Sequence, residues 1–169
     1  MKNRTWYPVF ALAVICLAVS LLVSAANAMT GSAVRRQEEL ALAESRRAVL
    51  DADEYIPVPG YDCVRAVKDG STAGYVFSEK SKGYGGEITV LVGMDTAGRI
   101  TGVRVNSHSE TPGLGARYAA DGALSGYNGL GSGVADDTVR LTGASVTGRA
   151  ISECVNAAFD AFAEITEGR

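Results

Sequence analysis

The hydrophobic and polar positions of this 169-residue chain change period several times, and each change marks an element. From Thr5 to Val34 there is no charged residue, and the run "VFALAVICLAVSLLVSAA", Val9 to Ala26, is almost wholly apolar. At 1.5 Å rise per residue, about 20 such residues cross a hydrocarbon core of roughly 30 Å, so the pattern predicts a membrane span. The next stretch, "SAVRRQEELALAESRRAVLDAD", mixes helix formers of both charge signs and places Glu44 three residues before Arg47. It predicts a helical stalk continuing from the membrane. Asp51 to Gly60 contains Pro57 and Pro59, which break the helix and read as a linker. The chain divides on this reading into an anchor at 1–30, a stalk and linker at 31–54, and a globular domain at 55–169.

Within the domain the period falls to two. Tyr61 to Lys68, the turn "KDGS", and Thr72 to Lys80 read as a hairpin, and the glycine-rich "KGYGG", Lys82 to Gly86, leads into "EITVLVGM". There Ile88, Val90, Val92 and Met94 alternate with Thr89, Leu91 and Gly93, and the turn "DTAG" returns the chain into "RITGVRVNS". Four short strands joined by turns predict an antiparallel meander. The last segment changes period again: Ala150, Ile151, Cys154, Val155, Ala158, Phe159 and Phe162 recur at three- and four-residue spacing. That is an amphipathic helix beginning near Gly148, whose apolar stripe needs a sheet face. The predicted fold class is α+β, an N-terminal transmembrane helix and stalk followed by an antiparallel-sheet domain with a packed C-terminal helix.

Charge and composition narrow the function classes. A net charge of −3, a pI near 5.2 and scattered basic residues give no footprint for nucleic acid. Cys16 lies in the apolar run, Cys63 and Cys154 lie far apart in the chain, and His108 is the single histidine, so no standard zinc site is apparent. Lys2 and Arg4 precede the span, and Trp6 and Tyr7 sit where an aromatic belt would lie. This favours the N-terminus on the cytoplasmic side and the domain outside, although Arg35 and Arg36 on the far flank oppose it. Ala26-Asn27-Ala28 resembles a signal-peptide cleavage site, but the uncharged run is longer than a typical signal core, which favours a retained anchor in the lipid.

Two loops carry the candidate chemistry. In "LTGASVTGRAI", residues 141 to 151, three hydroxyls stand among small residues where the helical period begins. Thr147 is placed as the N-cap or a first-turn residue of that helix. The unpaired N–H groups and the positive end of the helix dipole also make the same spot a seat for phosphate, with Gly143 and Gly148 allowing close approach and Arg149 adding a counter-charge. In "SHSETPGLGARY", residues 107 to 118, Pro112, Gly113 and Gly115 fix an irregular loop, and Glu110 and Thr111 add polar groups at its mouth. His108 receives no catalytic role.

The combination of an N-terminal span, "KGYGGEITVLVGMDTAGRITGVRV", "SETPGLGA" and "TGASVTGRAI" resembles the FMN-binding domain family, in particular the G-type subunits of Rnf ion-translocating electron transport complexes. The related C-type subunits of sodium-pumping NADH:quinone reductases are the nearest alternative. The resemblance covers essentially the whole chain. The family pattern S/T-G-A-T/S-x-T matches Thr142, Gly143, Ala144, Ser145, Val146 and Thr147 in order, with serine at 145 where threonine is usual. It implies a covalent FMN phosphoester on Thr147, with Thr142, Gly143, Ala144 and Ser145 shaping the loop. The isoalloxazine ring is then expected toward Glu110, Thr111, Gly113, Leu114 and Gly115, with Tyr84, Gly85 and Gly86 as another wall. The resemblance further implies a magnesium-dependent flavin transferase for maturation, because an unactivated threonine hydroxyl is a poor nucleophile.

The expected function is that of a membrane-anchored flavoprotein subunit that relays electrons in a ferredoxin/NAD complex coupled to ion transport, assembled with other membrane and peripheral subunits in the cell membrane. No general acid, base or nucleophile is needed for that task, and no catalytic residue is assigned. The alternatives are a stand-alone extracytoplasmic FMN-dependent reductase, a C-type component of a sodium-pumping quinone reductase, and a non-flavin binding module in which Thr147 is only a cap.

Overall fold

The computed structural model describes residues 6–131, 133–134 and 138–167. Lys2 and Arg4, which carry the orientation argument, lie outside the described residues. The chain divides into two compact units, Met1–Ala41 and Leu42–Arg169. Helix α1 runs from Trp6 to Val49. Its segment Trp6–Ala28 is long and apolar enough to cross a membrane, and none of its most apolar stretch is buried by protein.

In the second unit, five strands form one sheet in sequence order: β1 Glu54–Pro57, β2 Cys63–Lys68, β3 Ser71–Lys82, β4 Glu87–Asp95 and β5 Ile100–Ser107. Every pairing is antiparallel. The meander therefore has one strand more than the period predicts. The extra strand lies in the stretch read as linker, where Glu54 pairs with Val67 and Pro57 with Val64. Pro57 is tolerated because β1 is an edge strand, where a missing N–H donor breaks no second ladder.

Strand β4 is buried on both faces. Ile88, Val90, Val92 and Met94 share one cluster with Tyr75, Phe77 and the helix residues Ile151, Cys154, Val155 and Ala158. Helix α2, Ser145–Glu167, supplies those residues, as its period requires. Phe162 extends the contact, with its ring edge-on to Tyr75 at 6.0 Å and to Phe77 at 6.4 Å.

The opposite face holds a smaller cluster of Val49, Val64, Val76 and Leu91, partly covered by Leu42, Leu50 and Tyr55. The end of α1 thus belongs to the domain's packing. A Cβ on Gly93 would approach Val49 O to 2.6 Å, and one on Gly102 would approach Val49 Cα to 2.8 Å, so two facing glycines admit the helix backbone onto the sheet. Two of the helix's last carbonyls find hydroxyl donors: Thr101 Oγ1 donates to Val49 O at 2.6 Å, and Tyr55 Oη to Leu50 O at 2.6 Å.

Between β5 and α2 the backbone makes two short 3₁₀ turns, Gly115–Ala119 and Ser125–Tyr127. They bury Tyr118, Leu124 and Tyr127 against the helix side of the sheet. The buried Tyr127 hydroxyl is paired with Ser152 Oγ at 2.9 Å.

Candidate functional site

Sheet register brings the site loops to one end of the fold. Lys82 pairs with Glu87, so "GYGG" is the tip of the β3–β4 connection, and Ser107 pairs with Thr89, so β5 releases its following loop beside that tip. The first turn of α2 completes the group. Gly83 N–H donates to Gly86 O at 2.8 Å and closes the hairpin tip.

Glu110 joins the three segments. Its Oε1 accepts the Gly85 N–H at 3.1 Å, its Oε2 accepts the Thr147 hydroxyl at 2.8 Å, and its own N–H donates to His108 Nδ1 at 3.2 Å. Glu110 is 6% exposed and Thr147 2% exposed. Three glycines clear the room. A Cβ on Gly83 would overlap Glu110 Oε1, one on Gly115 would overlap Glu110 Oε2 and lie 2.7 Å from Thr147 Oγ1, and one on Gly85 would overlap Ser109 O.

Of the two places the sequence offers Thr147, the structure takes the first turn and not the cap. Helix α2 starts at Ser145, inside the hydroxyl motif, and its opening intrahelical bond is Gly148 N–H to Ala144 O at 3.0 Å. The Thr147 side chain is therefore in the first turn and turns inward to the carboxylate. The N–H groups of Ser145, Val146 and Thr147 precede the helical ladder and belong to its positive end. Gly143, with φ +85°, lets the chain turn sharply into that helix.

A cavity of about 320 Å³ opens here, lined by Tyr84, Glu110, Thr111, Leu114, Gly115 and residues 143–147. Glu110 and Thr147 form its buried floor, while Tyr84, Leu114 and Val146 are exposed and form an apolar rim. Most of the residues singled out from the sequence meet at this cavity. Thr142 is exposed in the turn before it, Gly113 faces open space, and neither Gly86 nor Arg149 lines it. Gly85 contributes its N–H to Glu110 from behind.

Two structural features of the site escape sequence reasoning. Glu110 sits at the buried centre of the site and not at the loop's mouth; the acid's position between two glycine-rich stretches is the signal that could have shown it. Tyr118 holds the approach to the hydroxyl turn, with its hydroxyl accepting the Leu141 N–H at 2.9 Å and donating to Val139 O at 3.3 Å. A Cβ on Gly148 would come within 2.5 Å of that hydroxyl, which accounts for glycine there.

The residues present fit an FMN. The volume is at the lower end of small-molecule sites, which span roughly 300–1,000 Å³, helix N–H groups suit a phosphate, and apolar side chains suit a flat ring. A smaller cavity of about 150 Å³, lined in part by Val49, Arg104 and Asp121, lacks such convergence; the last two are ion-paired at 3.2 Å. The thiols take no part: burial pushes Cys63 up to about 11 and Cys154 up to about 12, so both stay protonated at neutral pH.

Comparison with known proteins agrees with this geometry. Residues 83–160 match the model of the FMN-binding domain family. The chain is 30% identical over 183 residues to the G-type subunit of a proton-translocating ferredoxin:NAD(+) oxidoreductase complex of Clostridium ljungdahlii, covering 99% of both chains. It is 30% identical over 188 residues to the G-type subunit of an ion-translocating oxidoreductase complex of Shewanella baltica, covering 92% of this chain and 88% of that one. In fold it is similar to the crystal structure of Shewanella oneidensis NqrC, with a TM-score of 0.53 and 21% identity over 74% of each chain. The chain belongs to the family of G-type subunits of ion-translocating oxidoreductase complexes, membrane-anchored proteins built on an FMN-binding domain.

Proposed function

We infer that the chain is an electron-carrying subunit of an ion-translocating ferredoxin/NAD oxidoreductase complex, with FMN held as a phosphoester of Thr147 and the FMN domain on the extracytoplasmic side. The observation that carries this reading is the Thr147 hydroxyl on the floor of a cavity of about 320 Å³, within the family's hydroxyl motif and in the first turn of α2.

FMN, when bound, supplies one- and two-electron chemistry. The chain's own residues do the rest. The N–H groups of Ser145, Val146 and Thr147 and the helix dipole hold the phosphate. Tyr84, Leu114 and Val146 cover the ring and exclude water. Gly115 and Gly143 leave room for the group to approach the backbone closely. Attachment through an ester retains the carrier on the far side of the membrane, where a dissociated cofactor would be lost. A flavin transferase installs it, and the apolar helix Trp6–Ala28 keeps the protein beside its partner subunits in the lipid.

The test is co-expression with a magnesium-dependent flavin transferase followed by intact-mass analysis. The wild-type chain is expected to gain one FMN increment that survives denaturation, and Thr147→Ala none. An increment retained by Thr147→Ala would move the attachment elsewhere. A mild-detergent pull-down is expected to bring down further subunits of the complex; recovery of the isolated chain, with turnover of a soluble acceptor, would favour a stand-alone reductase.

A further inference from the structure

The Thr147 hydroxyl donates its hydrogen to a buried carboxylate, Glu110 Oε2, instead of leaving it to solvent as an exposed cap would. A hydroxyl of that kind is a weak nucleophile until a base takes its proton. Glu110 Oε2 is within reach of that proton at 2.8 Å, and its other oxygen is fixed by Gly85 N–H at 3.1 Å. The contact therefore joins a nucleophile, a base and a group that orients the base.

The same contact poses a problem for the loaded protein. Esterification removes the hydroxyl's only hydrogen and puts an anionic phosphodiester where it stood. An ionised Glu110, 6% exposed, would then be left with Oε2 unpaired against a like charge. Activation of the hydroxyl and relief of that repulsion are both met when the proton that leaves Thr147 stays on Glu110.

We propose that Glu110 is the general base for flavin attachment to this chain and keeps the Thr147 proton afterwards, so that its neutral carboxyl donates to the phosphodiester. The role rests on FMN attachment at Thr147. The donor is a flavin dinucleotide presented by the transferase with magnesium. Thr147 Oγ1 forms a bond to the phosphorus next to the riboflavin, the pyrophosphate P–O bond breaks, adenylate departs with that electron pair, and the hydroxyl proton passes to Glu110 Oε2. The donor reaches the floor of the cavity through the rim of Tyr84, Leu114 and Val146. Two titratable residues lie near Glu110 in the same site: His108, whose Nδ1 already accepts the Glu110 N–H, and Tyr84, which is exposed on the cavity rim.

The experiment is a time course of FMN mass gain by the purified full chain in detergent, with transferase, flavin adenine dinucleotide and magnesium. Wild type and Thr147→Ala come first. If wild type gains no mass, or Thr147→Ala gains it equally, the attachment reading fails and this role fails with it. With attachment at Thr147 established, Glu110→Gln isolates the base, because an amide can still accept the Gly85 N–H. Its loading is expected to slow about a hundredfold or more, the ordinary range for losing a general base, with a thermal melt that shows it folded. Slowing by less than about tenfold in the folded variant overturns the proposal, since that falls below the ordinary range.

Should Glu110→Gln not fold, wild type decides by infrared difference spectroscopy, loaded minus unloaded at neutral pH, with glutamate labelled in the carboxyl carbon. A labelled, protonated carboxyl band appearing on loading supports the role. No such band overturns it.

Discussion

The hydroxyl of Thr147 and the carboxylate of Glu110, 37 residues apart in the chain, meet at 2.8 Å in a buried contact between the loop after β5 and the first turn of α2. Because Glu110 also receives the Gly85 N–H, one side chain fastens the hairpin tip, the loop and the helix start to each other. The site is thus a property of the closed domain and not of any one motif.

Replacing Thr147 by Val keeps the shape and removes the donor. Glu110 Oε2 then stays buried without its partner, at a cost of about 1–3 kcal/mol. The apo domain is expected to melt several degrees lower, and no FMN is expected on the chain. Thr147→Ser, which keeps the hydroxyl, is expected to load. Differential scanning calorimetry and intact mass read both.

Gly115→Ala places a methyl group onto Glu110 Oε2 and beside Thr147 Oγ1. The backbone of the loop must shift, which costs about 1–3 kcal/mol, and the two groups are driven apart. FMN loading is expected to fall about tenfold or more in a time course of mass gain, as small misplacements of reacting groups do. Gly113→Ala offers a contrast: its Cβ would meet open space, but its φ of +81° strains an alanine. A stability loss of about 1 kcal/mol is expected there, with loading largely kept.

At the other face of the sheet, Gly102→Ala would press its Cβ against the backbone of Val49 and disturb the Thr101–Val49 hydrogen bond. The expected loss is about 1–3 kcal/mol, seen as a lower melting temperature and faster amide exchange at Leu50 and along β5. Loading at Thr147 is expected to stay near wild type, because no residue of α1 lines the cavity.

The buried thiols give a pH signature. Burial raises Cys63 and Cys154 above the ordinary value of 9.0, to about 11 and about 12. Their folded values exceed their unfolded ones, so the stability they contribute is complete below about pH 9 and is lost as pH rises through 11 and 12. Melting temperature is expected to drop across that window, and less steeply in a Cys63→Ala, Cys154→Ala double variant. Neither thiol is expected to react with iodoacetamide in mildly alkaline buffer while the protein is folded.

Much of the fold was legible from period alone. Ile88, Val90, Val92 and Met94 announce one face of β4, and the stripe from Ile151 to Ala158 announces the face of α2 that covers it. The edge strand Glu54–Pro57 was hidden because four residues with a proline carry too short a pattern, and its pairing with β2 is a tertiary fact. The helix begins at Ser145 and not near Gly148 because glycine and serine are weak helix formers by themselves, while packing of Ala144 and Thr147 extends the helix regardless. The hydroxyl motif pointed to Thr147. It could not show Glu110 beneath it, since that contact depends on where β5 lets its loop go.

Each strand of the meander pairs with the one just before it, so the sheet can assemble hairpin by hairpin as the chain leaves the ribosome or the translocon. Helix α2 is the last element to arrive, and it brings Thr147. A chain that stalls short of it has Glu110 in place but lacks the Thr147 hydroxyl that completes the floor of the cavity. On the attachment proposed above, installation of the flavin serves as a stamp of completed folding, applied only to molecules whose final helix has docked.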